Sequence, residues 1–598
     1  VLKIALLGVP RIERDGRPCR APRGNKGWAI LAYLLLSRRP PARRKLAELL
    51  FSEANDPLGA LRWNLAQLRH TLRGRGTLGG DPLRLRLGPD VEIDVARLRE
   101  PGLPQPDDLD SLTGELLEGM EFSASRAFEA WLAVERRHLG AAAQALVLER
   151  TQAELGAGRA EGAARLAARL LELDPLEEAH HELLVRSLVA AGDLDTALAQ
   201  AAAGEELLER ELGAPPQSQL REIVYAARAS PSAGTFRDAA AVRGQLEAGE
   251  AAIGAGAMDT GLRALRSACA AADHCDDLDL QARAQLALGS ALVHSMRAYG
   301  EAAVALHRAA DAARRAGANA ICATAHRELG FVDVQAGRRD RAEAWLAQAA
   351  EECLGSDREL ASIASVRGMG LSDSGHYEEA LECFGESIER AETCAWRRQI
   401  AWSQALAGRV HVLTGSDARA REVLGHSLEL VAEETWIAVA PLPEALLAHV
   451  DLNASRLEAA EKALVHAFAI ACQVGDPCWE GIACRGMGLV EAARGRGRQA
   501  LEWLMDGRAR CTRVAHPYQW IHGWVLDGMC GAAQQYGDRR LMGWIDALEG
   551  LASRAGMREL LLRAYMYRHR SGDRGARDAA GLLGAELDRH DTWEVPSD

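Results

Sequence analysis

The sequence predicts a mostly α protein with three parts: a small basic α+β head, a helical middle and a long α-solenoid. Three observations lead there. The 598 residues are alanine-rich and only 5% aromatic, with few prolines outside apparent joints, a composition that favours helices. Residues 1–90 hold 18 Lys+Arg against 7 Asp+Glu, leaving 53 against 77 in the rest, so a net charge of −13 divides into about +11 and −24. From residue 290 onward, a pattern of small and large apolar residues recurs about every 40 positions.

In the head, Leu2–Gly8 and Arg11–Cys19 read as two short strands, with a turn at Asp15-Gly16. Lys26–Ser37 is a strongly apolar helix and Arg43–Phe51 a shorter one. Asp56 then caps a third helix that Pro57 opens, because proline lacks only an N–H that would be orphaned there anyway. Leu58, Leu61, Leu65, Leu68 and Leu72 recur at spacings of three and four, which predicts one buried stripe. The opposite face carries Gly59, Trp63, Ala66, Gln67 and His70, with Arg62, Arg69 and Arg73 along a flank. Forked cations, an amide and an imidazole are groups that read base edges and phosphates. Leu83, Leu85 and Leu87 alternate with Arg84 and Arg86, and Gly88-Pro89-Asp90 leads back into Val91 and Ile93, a half-buried basic hairpin. Three helices followed by such a hairpin make a winged helix-turn-helix, whose third helix enters the major groove while the wing touches backbone.

Between Leu112 and Ala226 helical periodicity is continuous, broken at Asp174-Pro175, Gly192-Asp193 and Gly213-Ala214-Pro215. Glu177, Glu178, His180 and His181 read as solvated surface, since adjacent histidines point apart on a helix. Ala229–Ala239 is small, polar and proline-bearing, and reads as a joint.

On the strings AILAYLLL (29–36), KLAELLF (45–51), ALRWNLAQLRHTL (60–72), FEAWLAVER (128–136), LLELDPLEEAHHELLVRSLVAAGDLDTAL (170–198) and LLERELGAPP (207–216), residues 1–230 resemble the antibiotic-regulatory-protein (SARP) type of bacterial transcriptional activator. The resemblance implies a winged helix followed by an all-helical bacterial transcriptional activator domain, promoter DNA and RNA polymerase as partners, and activation as the usual outcome. Family members often carry glutamine at the place of Trp63 and an aromatic near Ala202, so the resemblance leaves open what the third helix reads.

The repeats are countable. Ala302, Ala342, Ala380, Ala420, Ala460 and Ala500 stand 40, 38, 40, 40 and 40 apart. Twelve residues earlier come Ser290, Gly330, Gly368, Gly408, Ala448 and Gly488; four later, Leu306, Leu346, Phe384, Leu424, Leu464 and Leu504; seven later, Ala309, Ala349, Ser387, Ser427, Ala467 and Gly507. These are the offsets of the tetratricopeptide repeat, in which small residues let two helices cross and a bulky one fills the groove. The period exceeds the usual 34 by about six residues, which implies longer helices. A degenerate seventh unit from about 518 and a capping pair to about 590 follow.

Other classes lack their residues. The sequence has no GxxxxGK[ST], GxSxG or HExxH, and the glycine-rich 254–261 has no lysine and no preceding strand, so no enzyme and no cofactor are expected. The opening VLKIALLGV is too short to span a membrane, and no later apolar stretch suffices. Twelve cysteines scattered through helices fit a reducing cytoplasm; Cys472, Cys478 and Cys484, six apart, turn away from one another and read as core.

The expected organisation is a winged helix at 1–95, an activator domain at 96–228, a linker at 229–239, a repeat superhelix at 240–590 and a tail at 591–598. The expected function is a sequence-specific DNA-binding regulator with the repeats as sensor or assembly arm; the alternative is a scaffold whose winged helix docks protein. DNA contacts are expected from Arg62, Trp63, Gln67, Arg69, His70 and Arg73, from Arg84 and Arg86 on the wing, and from Lys26, Arg43 and Arg44 at helix starts. For Trp63 a protein contact is favoured over DNA. An effector or partner is expected in a groove near Arg327, Arg367, Arg409, His411, Asp451, Glu491, Tyr518, Trp520 and Trp524. The repeats would either hold the head inhibited, through its opposite charge, or form a homodimer on a repeated operator.

Overall fold

The computed structural model describes residues 1–587 apart from 20–21, 38, 101, 123–124, 213–219, 230–238, 255–256, 297 and 515. The break at Gly213-Ala214-Pro215, most of the expected linker and the whole tail lie outside the described residues. The chain divides into two compact units, one of residues 1–100, 105–143 and 542–598, the other of 101–104 and 144–541.

The first unit opens with β1 (Leu2–Ala5), β2 (Arg11–Arg14) and β3 (Arg17–Pro18). Asp15 and Gly16 both take positive φ (50° and 77°), the hairpin geometry that suits strand twist, so the expected second strand is itself a hairpin of β2 and β3. Then come α1 (Asn25–Leu36), α2 (Arg43–Phe51), α3 (Pro57–Thr71), β4 (Gly76–Gly79), β5 (Arg84–Leu87), β6 (Val91–Ile93) and α4 (Asp94–Arg97). The wing differs from the expected pairing. The glycine-rich segment after α3 is a strand, and Thr77 stands opposite Arg86; Val91–Ile93 instead joins β1 in parallel, completing a sheet of order β3-β2-β1-β6. Asp94 holds that end by accepting the N–H groups of Leu6 and Leu7, each at 2.7 Å, and its burial raises its pKa.

Leu61, Leu65, Leu68 and Leu72 are buried as expected, but Leu58 is 45% exposed. It sits in the first turn, ahead of the residues the domain covers, and Asn64 takes a buried place, donating to the Ala60 carbonyl. The Asp56 carboxylate caps the helix at the Gly59 N–H, 2.8 Å away. Residues 113–122 are not helical as expected; Leu7 bridges Leu116 in extended pairing, and Arg136 donates to the Leu116 and Leu117 carbonyls. Arg136 lies on α5 (Arg126–Gly156), whose Phe128 meets Phe122 edge-on and whose Trp131 packs at a tilt against Tyr33. The helices Arg558–Arg570 and Arg574–Glu586, expected to cap the repeats, fall in this first unit. There Arg558 donates to Glu135 at 2.6 Å and Arg137 to Glu549 at 3.2 Å.

The second unit is helical throughout its described residues outside short turns. His180 and His181 are buried, not solvated, because their rings face the turn at Asp174 and Pro175 and bond those carbonyls at 3.2 and 2.9 Å. Six helix pairs carry the six counted repeats, from 278–291/299–316 to 477–493/497–511, and the helix Gln519–Tyr536 follows them. Helices of 17 residues, as in Asp357–Asp373 and Tyr377–Thr393, account for the 40-residue period. All six crossing alanines are buried, as are the six bulky partners. Ser387 and Ser427, one period apart, donate to Ala361 and Ala401, each 26 residues earlier and each at 2.7 Å. One register differs. Gly289, not Ser290, faces Leu306, since the π-turn Leu292–Met296 inserts an extra residue before the second helix.

Candidate nucleic-acid interface and repeat-domain cavity

The outer face of α3 is exposed at Arg62, Trp63, Ala66, Arg69 and His70, with Gln67 half-buried and Arg73 exposed just past its end. Arg69 donates from Nε to the Leu78 carbonyl at 2.8 Å, which fixes β4, and hence the wing, beside the helix. Alternation on β5 leaves Arg84 and Arg86 exposed while Leu85 and Leu87 turn inward. Arg62 reaches Asp56 at 3.4 Å, and Arg44 pairs with Glu48 one turn on at 2.8 Å, both weak exposed contacts. Arg43 is committed to the base of the wing, through the Gly80 carbonyl and the Asp81 carboxylate. Lys26 is half-buried with its ammonium 5.9 Å from the Phe51 ring centre, and burial lowers its pKa.

In the second unit, the repeats enclose a cavity of about 590 Å³. The expected groove residues divide. Arg327, Arg409, Tyr518 and Trp520 line it. Arg409 is buried; it donates to the Tyr518 hydroxyl at 2.9 Å, meets Asp373 at 2.8 Å and lies over the Trp520 ring at 4.3 Å. Burial raises Asp373 to about 6 against the pull of Arg409 and Tyr518. Burial would also raise Glu328, but His294 and Arg327 outweigh it and hold it at about 2.

Arg367, His411, Asp451, Glu491 and Trp524 do not line the cavity. Arg367 turns to Glu343. His411 is half-buried, which lowers its pKa. Trp524 is buried behind Trp520, with Arg485 over its ring at 3.8 Å. Asp451 and Glu491 staple turns, pairing with Arg456 and Arg496 five residues on, across the bend between paired helices, as Asp333 does with Arg338.

The residues that sequence reading missed stand at the starts of the inner helices. Arg358 lies over Trp396 at 4.1 Å, and Arg398 over Trp436 at 5.8 Å. All four line the cavity, with Trp402 and Trp479. The signal was present, because each pair is the other displaced by 40 residues.

Residues 109–227 match the family model of the bacterial transcriptional activator domain. The chain carries that domain. The matched segment follows the winged helix in sequence, the order the SARP resemblance implies. No curated protein matches the chain in sequence. Among solved structures it is similar to a Rap protein complexed with competence and sporulation factor, at 13% identity and TM-score 0.46 over 58% of this chain and 98% of that one. It is also similar to NprR in complex with its cognate peptide NprX, at 14% identity and TM-score 0.38 over 58% and 88%. Mycobacterium tuberculosis EmbR in complex with a low affinity phosphopeptide is similar at 18% identity and TM-score 0.30 over 38% and 66%. No helix among the described residues is long and apolar enough to cross a membrane, and no group of metal-binding side chains occurs among them.

Proposed function

We propose that the protein is a transcription regulator whose winged helix binds promoter duplex DNA and whose repeat domain is the effector arm. One observation carries the reading: α3 presents an exposed row of cations with a basic wing pinned beside it by the Arg69–Leu78 bond. The adjoining activator domain supports transcription as the setting. Arg62, Gln67, His70 and Arg73 face the major groove, and Arg84 and Arg86 the phosphates. Arg43 acts by holding the wing, which narrows its expected role to positioning. Activation through RNA polymerase is the outcome the resemblance implies.

Footprinting with the full chain on its own upstream region tests the reading. A protected site lost in an Arg62→Ala/Arg73→Ala variant that keeps its melting temperature is expected. Protection unchanged by that variant would show that these arginines do not carry DNA binding, and no protection by the folded chain would favour the alternative, a winged helix that docks protein.

A further inference from the structure

The lining of the repeat cavity narrows what it can hold. Five indoles, Trp396, Trp402, Trp436, Trp479 and Trp520, face it, with Phe331. Its cations are not equivalent. Arg327 is neutralised by Glu328 and Glu359, at 2.9 and 2.6 Å, and Arg409 by Asp373. Arg398 is tied to the Glu434 carbonyl at 3.2 Å. The Arg358 guanidinium makes no hydrogen bond or ion pair among the described residues; it rests on the Trp396 ring. A guanidinium held flat on an indole is pre-oriented and still has its in-plane N–H donors free for a carboxylate.

The lining amides argue against an extended peptide. Gln335 accepts the Tyr299 hydroxyl proton at 2.8 Å, and Gln399 donates to Ser387 and Ser403, so both are used inside the fold. A volume near 590 Å³ lies within the usual range for small-molecule sites. We infer that the cavity binds a small planar aromatic molecule bearing one carboxylate, the anion on Arg358 and the rings among the indoles.

This inference rests on reading the repeats as an effector arm, and its test is independent of DNA. The probes are anthracene-9-carboxylate and its neutral carboxamide, titrated into the full chain by calorimetry and tryptophan fluorescence. The expected result is one site per chain, with the carboxylate bound about tenfold or more tighter than the carboxamide. Arg358→Gln should abolish that preference, Arg358→Lys should keep part of it, and Trp396→Leu should weaken both compounds. Arg419→Gln, a change at an exposed arginine outside the cavity lining, should alter neither. Equal affinity for the two compounds, no binding of either, or an Arg358→Gln variant indistinguishable from wild type overturns the inference. Probe binding that leaves DNA affinity unchanged supports the site and counts against the effector reading alone.

Discussion

Arg341 donates from Nε to Glu149 at 2.9 Å, and both side chains are buried. Glu149 belongs to the activator domain and Arg341 to the helix Arg339–Glu352 of the repeats, so one bond joins segments 192 residues apart in the second unit. Replacing Arg341 with methionine would leave the carboxyl group buried without its donor. The expected loss is about 3 kcal/mol, the lower end for a broken buried pair, because Glu149 can stay protonated. Urea unfolding of the single and double variants measures it, and Arg341→Met/Glu149→Leu should recover most of the loss.

The same pair gives a pH dependence. Burial, helped by the nearby Asp333, raises Glu149 from 4.5 to about 8 against the attraction of Arg341. Between those values the native chain holds a proton that the unfolded chain has released, so stability falls as pH rises. The contribution is complete below about 4.5 and lost as pH passes about 8. Thermal melts from pH 6 to 9 should show a steeper fall for wild type than for Glu149→Gln. Parallel curves would show that Glu149 does not titrate there.

Crossing glycines and glycines with open space around them should respond in opposite directions. A Cβ at Gly368 would stand 2.7 Å from Phe384 Cε1 and 3.1 Å from the Ala380 carbonyl, so Gly368→Ala should cost about 1–3 kcal/mol. Gly385, in the paired helix, has nothing within 4 Å of such a Cβ, and Gly385→Ala should stabilise by about 0.5–1 kcal/mol. Denaturant midpoints of the two variants give both signs.

The repeats were legible because a 40-residue period imposes the same small and bulky residues at each crossing, where backbone approach leaves little choice. Strand partners in the head were less legible. Val91–Ile93 reads as the return of a hairpin because Gly88-Pro89-Asp90 is good turn sequence, and only the parallel space beside β1 decides otherwise. Leu58 fits the helical period but lies in a first turn that nothing covers, which periodicity cannot report. In the cavity, position along the inner helix points to the charged groove candidates. Asp451 and Glu491 are instead satisfied by arginines five residues on, a local pairing that removes them from the lining.

Arginines on the wing should behave differently from those on α3. Arg84→Ala or Arg86→Ala should weaken binding to all DNA sequences alike and reduce the salt slope by about one each, as expected of phosphate contacts. Arg62→Ala should relax specificity at one position at a cost of about 1–3 kcal/mol. Binding to a set of single-base operator variants separates the two patterns.

Trp63 is 50% exposed on the outer face of α3, a large apolar surface that calls for a partner. Because its removal opens no core, Trp63→Ala should keep the melting temperature. The expected defect is in self-association or protein contact, measured by analytical ultracentrifugation with and without DNA. Intact association with abolished DNA binding would place this indole in the groove instead.

The central claim is that the basic head reads duplex DNA. The test requires the full chain, since Arg558 and Glu549 pack against α5 in the same unit as the winged helix and a truncation would strip them away. The measurement is affinity for its own promoter duplex as a function of salt. A steep linear fall of log K with log salt is expected, about 0.9 per phosphate contact, with the slope reduced by about two in an Arg84→Ala/Arg86→Ala variant. A folded chain whose affinity is flat with salt, or unchanged in that variant, would contradict it.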